Sequence, residues 1–197
     1  MIIVLLGPQG SGKDTQGKLL SEKYNIPLVS VGQEFRNAIE SNSVLGNQVK
    51  EYVESGNLVP DEICNALIQE RLSKSDCDNG VIIDGSPRTA NQAIMLDYWY
   101  WGKNLEVSKV FYLQISDDEI VNRLQSRVKE AIEKGEKPRG DDLDEKIIRQ
   151  RVHNFKSFIQ LIKMYYQIRG KFYEIDGMPS IENIFKDLVS RIDERNN

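Results

Sequence analysis

The run Met1-Ile2-Ile3-Val4-Leu5-Leu6 breaks into Gly7-Pro8-Gln9-Gly10-Ser11-Gly12-Lys13, and this junction restricts the chain more than any other stretch. Six apolar residues closed by a glycine read as a short strand buried on both faces. No basic residues precede them, so they do not read as a secretion signal. The loop fits G-x-x-x-x-G-K. Its glycines let backbone N–H groups converge on phosphate oxygens, the following helix adds the partial positive charge of its N-terminus, and the lysine reaches the β and γ phosphates. Three fixed positions, each at about 7% frequency, recur by chance in roughly one chain in fifteen. The motif therefore draws its weight from its context, between a buried strand and the helical pattern of Lys13 to Tyr24. Asp14 stands where the strict pattern asks for Ser or Thr, with Thr15 after it. A carboxylate suits a helix N-terminus but repels a triphosphate that it faces.

The rest of the chain alternates short apolar strands with helices. Strands are expected at Pro27 to Ser30, Val81 to Asp84, Val110 to Ile115 and Phe172 to Ile175. Helices are expected over 33–40, over 45–54 ending at Gly56, from Pro60, after Thr89, over 117–133, over 143–168 and over 180–191. The polar stretch 135–140 reads as loop. This order predicts an α/β fold of the P-loop NTPase type, a five-stranded parallel sheet with helices on both faces.

Composition excludes several classes of function. At 197 residues the chain is one domain of roughly 150 with about 50 to spare. Its 26 Lys+Arg against 30 Asp+Glu leave a net charge of −4, which argues against general binding to nucleic acid backbones. Cys64 and Cys77 make no C-x-x-C, so neither a disulfide framework nor a four-ligand zinc site is expected, and a reducing, cytoplasmic setting fits. No apolar run approaches the roughly 20 residues of a membrane span. The single histidine, His153, argues against histidine triads and multi-histidine metal sites, and reads as a packing or surface residue.

With Gly-Pro-Gln-Gly-Ser-Gly-Lys-Asp-Thr-Gln at 7–16 and Asp-Gly-Ser-Pro-Arg-Thr at 84–89, the sequence resembles the adenylate kinases, within the nucleoside monophosphate kinases. The likeness extends over nearly the whole chain through Val31-Gly32-Gln33-Glu34-Phe35-Arg36, Gly56-Asn57-Leu58-Val59, Gln92, Arg123 with Arg127, Arg139-Gly140-Asp141-Asp142 and Arg149-Gln150-Arg151. It implies a single kinase domain over 1–197, with a monophosphate-binding insertion at 30–59 and a short lid at 128–140, without zinc. It also implies reversible phosphoryl transfer from ATP with Mg²⁺ to a nucleoside monophosphate, ATP + AMP to two ADP. A pyrimidine (UMP/CMP) kinase and a low-activity nucleotide-binding regulator are the alternatives. A monomer with nucleotides as its partners is expected.

The same resemblance assigns roles. Gly10, Ser11, Gly12, Lys13, Asp14, Thr15, Arg123, Arg127 and Gly177 would bind ATP. Val31, Gly32, Arg36, Asn57, Leu58, Val59, Gly85, Ser86, Arg88, Gln92, Arg139 and Arg151 would bind AMP. Lys13, Arg88, Arg123, Arg139 and Arg151 would be catalytic, with Arg149 as the alternative to Arg151, and Asp84 would orient water on the metal. Gln92 would read adenine through its amide, which donates and accepts at once. Val31 departs from the family's usual threonine near the base, and Gln33 and Ser86 replace its usual Asp and Phe. Tyr98-Trp99-Tyr100-Trp101 reads first as packing, with a subunit contact or base stacking as alternatives. In this reading the acidic average conceals a cleft made of Lys13, Arg36, Arg88, Arg123, Arg127, Arg139 and Arg151.

Overall fold

A computed structural model of the chain describes residues 1–138 and 140–194. Its strands are β1 (Ile2–Leu6), β2 (Leu28–Ser30), β3 (Val81–Asp84), β4 (Lys109–Gln114) and β5 (Phe172–Asp176). Its helices are α1 (Lys13–Tyr24), α2 (Val31–Glu40), α3 (Val44–Ser55), α4 (Asp61–Leu72), α5 (Ala90–Trp101), α6 (Asp117–Glu133), α7 (Glu145–Gln167) and α8 (Ile181–Asp193).

The strands form one five-stranded sheet in the order β2-β3-β1-β4-β5 with every pairing parallel, as expected for a P-loop NTPase fold. β1 is central, and alternation along it divides the core. Ile2, Val4 and Leu6 join the cluster that includes Leu67 of α4, Leu96 of α5 and Ile162 of α7. Ile3 and Leu5 join the opposite cluster with Leu20 of α1 and Leu188 of α8. Both faces are thus covered, which is why the strands read as continuous apolar runs. The connection leaving β1 leads to β2 on one side while β4 lies on the other, so the loop after β1 opens at the crevice where such sheets bind ligands.

Several boundaries differ by one or two residues. α2 starts at Val31, directly after β2, rather than at Gln33. α7 starts at Glu145 because the Asp144 side chain accepts from the Lys146 N–H at 2.8 Å and caps the helix there. The aromatic run at the end of α5 faces both ways: Tyr100 is buried and Trp99 packs on the core, while Tyr98 and Trp101 are exposed. Among the described residues no helix is long and apolar enough to cross a membrane.

α3 packs closely on the end of α2 at Gly46, whose amide donates to Ser43 Oγ at 2.9 Å. A Cβ there would lie 2.0 Å from the Ala38 carbonyl oxygen, with no flexible side chain to yield. Gly46→Ala is expected to cost about 1–3 kcal/mol in urea denaturation. Gly140→Ala, whose Cβ would meet nothing within 4 Å, should change stability by less than about 0.5 kcal/mol.

Candidate active site

The loop 7–12 folds over the N-terminus of α1. Gly12, with φ +92°, turns the chain into the helix in a conformation that a side chain resists. The Ser11 N–H donates to Pro8 O at 3.2 Å and the Gln16 N–H to Gly12 O at 2.9 Å, leaving the intervening amides at the helix start without helical partners. Lys13 turns back over the loop, donating from Nζ to the carbonyls of Gly7 at 2.8 Å and Pro8 at 2.9 Å and to Ser11 Oγ at 3.3 Å. Burial of the ammonium lowers its pKa from the ordinary 10.5 to about 8; Asp84 opposes that shift, and Arg88, Arg151 and Arg127 add to it.

Asp84 ends β3 beside β1 and β2. Ser30 Oγ donates to its Oδ2 at 3.3 Å, while its Oδ1 is buried with no protein partner. Burial pushes this carboxyl above the usual carboxylate range, with Lys13 pulling against it. The α5 side contributes Arg88, whose Nε donates to Gly85 O at 2.9 Å. On α6, Arg123 pairs with Glu119 at 2.6 Å and donates to Gly177 O at 3.0 Å, and Arg127 pairs with the buried Asp142. Asp14 is half-exposed and lies 3.6 Å from Lys18, so its charge is shared along the helix surface.

These groups line one cavity of about 510 Å³. Gly10 to Thr15, Gly32, Arg36, Leu58, Asp84, Gly85, Arg88, Arg123, Arg127 and Arg151 all reach it. A narrower pocket of about 40 Å³ adjoins it, walled by Val31, Asn57, Val59, Cys64 and Gln92. Gly32, Arg36, Gly56, Leu58, Arg88 and Arg151 line both spaces. Arg149 lines neither: it is exposed and pairs with Glu145 at 2.9 Å on the outer side of α7.

Two assigned residues fall elsewhere. Gly177 meets the cavity only through Arg123, to which its carbonyl is bonded. Ser86 is buried on the far side of Gln92, in a small void with Asn65, Leu96 and Trp99. Arg139 lies outside the described residues. His153 is exposed on α7. The sequence reading missed Gln9, whose amide nitrogen and oxygen are both buried without protein partners on the cavity wall, and Asn154, Phe155 and Phe158 of α7. Only the 3.6-residue period of α7, continued from Arg151, pointed to the last group.

A phosphate-type loop after the central strand of a parallel sheet, opening on a cation-lined cavity, defines a P-loop nucleotide-binding protein. The family model for adenylate kinase matches residues 5–171. An adenylate kinase of Bartonella bacilliformis is 38% identical over 188 residues, 95% of this chain and 97% of that protein. One of Brucella ovis is 38% identical over 188 residues, 95% of this chain and 96% of that protein. One of Nitrobacter hamburgensis is 36% identical over 194 residues, 98% of this chain and 93% of that protein. The chain belongs to the adenylate kinase family, enzymes that transfer phosphoryl groups to nucleoside monophosphates.

The Lys13 shift has a definite sign in stability. Its folded pKa lies below the unfolded value, so the unfolded chain binds more protons between about pH 8 and 10.5, and this group's contribution to stability rises with pH across that window. Lys13→Met removes that contribution. Urea denaturation should show the unmutated protein gaining stability relative to the variant as pH is raised from about 7.5 to about 9.5. A constant difference would place the ammonium in water.

Proposed function

We propose that the chain catalyses ATP + AMP to two ADP, with the triphosphate over Gly10 to Thr15 and the monophosphate between Arg36, Arg88 and Arg151. The observation that carries this reading is the shared lining: one set of arginines borders both the large cavity and the narrow pocket, so two phosphate-bearing ligands would meet across it. Transfer between them asks for in-line positioning, positive charge around the moving phosphoryl group and exclusion of water. Lys13 supplies charge at the loop, and Arg88, on the common wall, supplies it at the point of transfer. No general base is needed, because the acceptor is a phosphate whose second pKa is about 6.

Asp84 fits the part of a metal-side ligand through water. Its Oδ1 is buried, faces the loop lysine's cavity and lacks a protein donor, as an acceptor for metal-bound water would. Mg²⁺ held there with ATP would spread the charge of the β and γ phosphates. Arg123 and Arg127 have carboxylate partners, Glu119 and Asp142, which a triphosphate would displace or share. The narrow pocket has room for a few water molecules at most, so a base enters it only as the 30–59 segment shifts. Closure of that segment and of the 128–140 lid would then complete the arginine set and keep water from the reaction.

Coupled assay of ADP formation is expected to give the highest kcat/KM with AMP, ahead of CMP, UMP and GMP. Highest turnover with a pyrimidine monophosphate would favour the pyrimidine kinase reading, for which apolar Val31 at the pocket wall speaks. No turnover with any monophosphate despite tight nucleotide binding would leave a regulator. Val31→Thr restores a hydroxyl at the wall and should sharpen AMP preference by about 1 kcal/mol, or roughly fivefold. A flat specificity profile would mean that position 31 does not sense the base.

A further inference from the structure

Gln92 is held by an arrangement that the proposed reaction does not by itself require. Its Nε2 donates to Asp61 Oδ1 at 2.8 Å, and its Oε1 accepts the Arg88 backbone N–H at 2.7 Å. Its own backbone N–H donates to Thr89 Oγ1 at 3.0 Å, and that hydroxyl donates to Asp61 Oδ2 at 2.9 Å. Asn91 Nδ2 adds a third donor to the same carboxylate at 3.1 Å. Asp61 is the first residue of α4, directly after Pro60, and thus ties the start of α4 to the start of α5.

This network leaves the amide one orientation. A carboxylate can only accept and a backbone N–H can only donate, so turning the amide over would set Nε2 against the Arg88 N–H and Oε1 against Asp61. Both contacts would then be repulsive, at a side chain that is 2% exposed. The bonds already made use one N–H and one lone pair. What remains for a ligand is one N–H and one lone pair whose relative positions are fixed.

We infer that Asp61 is a positioning residue that locks the Gln92 amide so that the monophosphate pocket selects bases carrying an amino group over bases carrying a keto group. The inference rests on the reading of that pocket as the monophosphate site. Adenine presents an amino donor beside a ring-nitrogen acceptor, and cytosine presents the same order. Guanine and uracil present a keto acceptor beside a ring N–H donor, the reverse order. A base tethered through its ribose cannot slide to exchange the two positions, so the orientation of the amide decides which pair matches. An amide free to turn would serve both. Asp61 thereby also connects base reading to phosphate binding, because the N–H that pins Oε1 belongs to Arg88.

The test is steady-state kinetics with AMP, CMP, GMP and UMP on the unmutated protein, Asp61→Asn, Gln92→Ala and the double variant. Asn at 61 cannot accept from Gln92, Thr89 and Asn91 together, since one of its two positions is now a donor. Asp61→Asn should raise KM for AMP about tenfold, hold kcat within about twofold, leave KM for ATP unchanged and shrink the amino-over-keto preference about tenfold. On the Gln92→Ala background the same substitution should change the preference no further, which a merely structural effect would not reproduce. Loss of preference in Gln92→Ala but not in Asp61→Asn overturns the lock while leaving the pocket's assignment standing. No loss in Gln92→Ala overturns both. Should Asp61→Asn fail to fold, the side-chain amide of Gln92 in the unmutated protein decides by NMR. Slow solvent exchange with two resolved protons supports the lock, and the rapid exchange of a solvated amide overturns it.

Discussion

The ammonium of Lys13, folded back onto the carbonyls of Gly7 and Pro8, is the interaction on which the rest of the cleft depends. It is a cation withdrawn from water and set near Arg88, Arg127 and Arg151, and its pKa is lowered first by that burial and further by the arginines. Three sets of acceptors balance the cleft's positive charge: the loop carbonyls that receive Lys13, the neighbouring Asp84 carboxyl, and the carboxylates of Glu119 and Asp142 that pair with the arginines of α6. Each is an acceptor that polyphosphate oxygens can replace or supplement. A protein of net charge −4 thus gathers Lys13 and five arginines around one cavity, a setting that suits a small polyanion.

The fold can hold such a site because the sheet beneath it has nowhere to yield. β1 buries Ile2, Val4 and Leu6 toward one helical layer and Ile3 and Leu5 toward the other, so its carboxyl end is fixed from both sides. β3 pairs beside it with Leu5 opposite Asp84, which sets that carboxyl against the phosphate-type loop. β2 pairs with β3 so that Ser30 lies opposite Asp84 and donates to it. The register of three parallel strands therefore delivers the loop, the acid and its hydroxyl partner to one point.

The parallel sheet and the loop were legible in the sequence, because strands buried on two faces produce apolar runs and a phosphate-type loop has strict glycine and lysine requirements. The choice between Arg149 and Arg151 was not. Two residues apart on a helix lie about 200° apart around the axis, so only one can face the cleft, and local composition does not say which. In α7 packing sets Arg151 against Gly56 and on the border of both cavities, while Arg149 turns outward to Glu145. The direction of Asp14 was equally hidden, since a carboxylate at a helix start can serve the dipole, a neighbouring lysine or a metal, and here it leans toward Lys18. Ser86 follows Gly85 in the chain yet is buried behind Gln92, because the turn between β3 and α5 sends successive residues to opposite sides. Asp61 carried no signal at all beyond an acidic residue after Pro60, and its meeting with Thr89, Asn91 and Gln92 exists only once α4 and α5 have packed.

Everything proposed for the reaction turns on the two spaces forming one continuous site with a common arginine wall. Calorimetric titration with a single molecule that joins two adenosines through a chain of phosphates long enough to span both spaces tests this directly. One such molecule should bind per chain, much more tightly than ATP or AMP alone, and should displace both nucleotides. Displacement of ATP alone, with AMP still bound at its original affinity, would mean that the large cavity and the narrow pocket are separate sites.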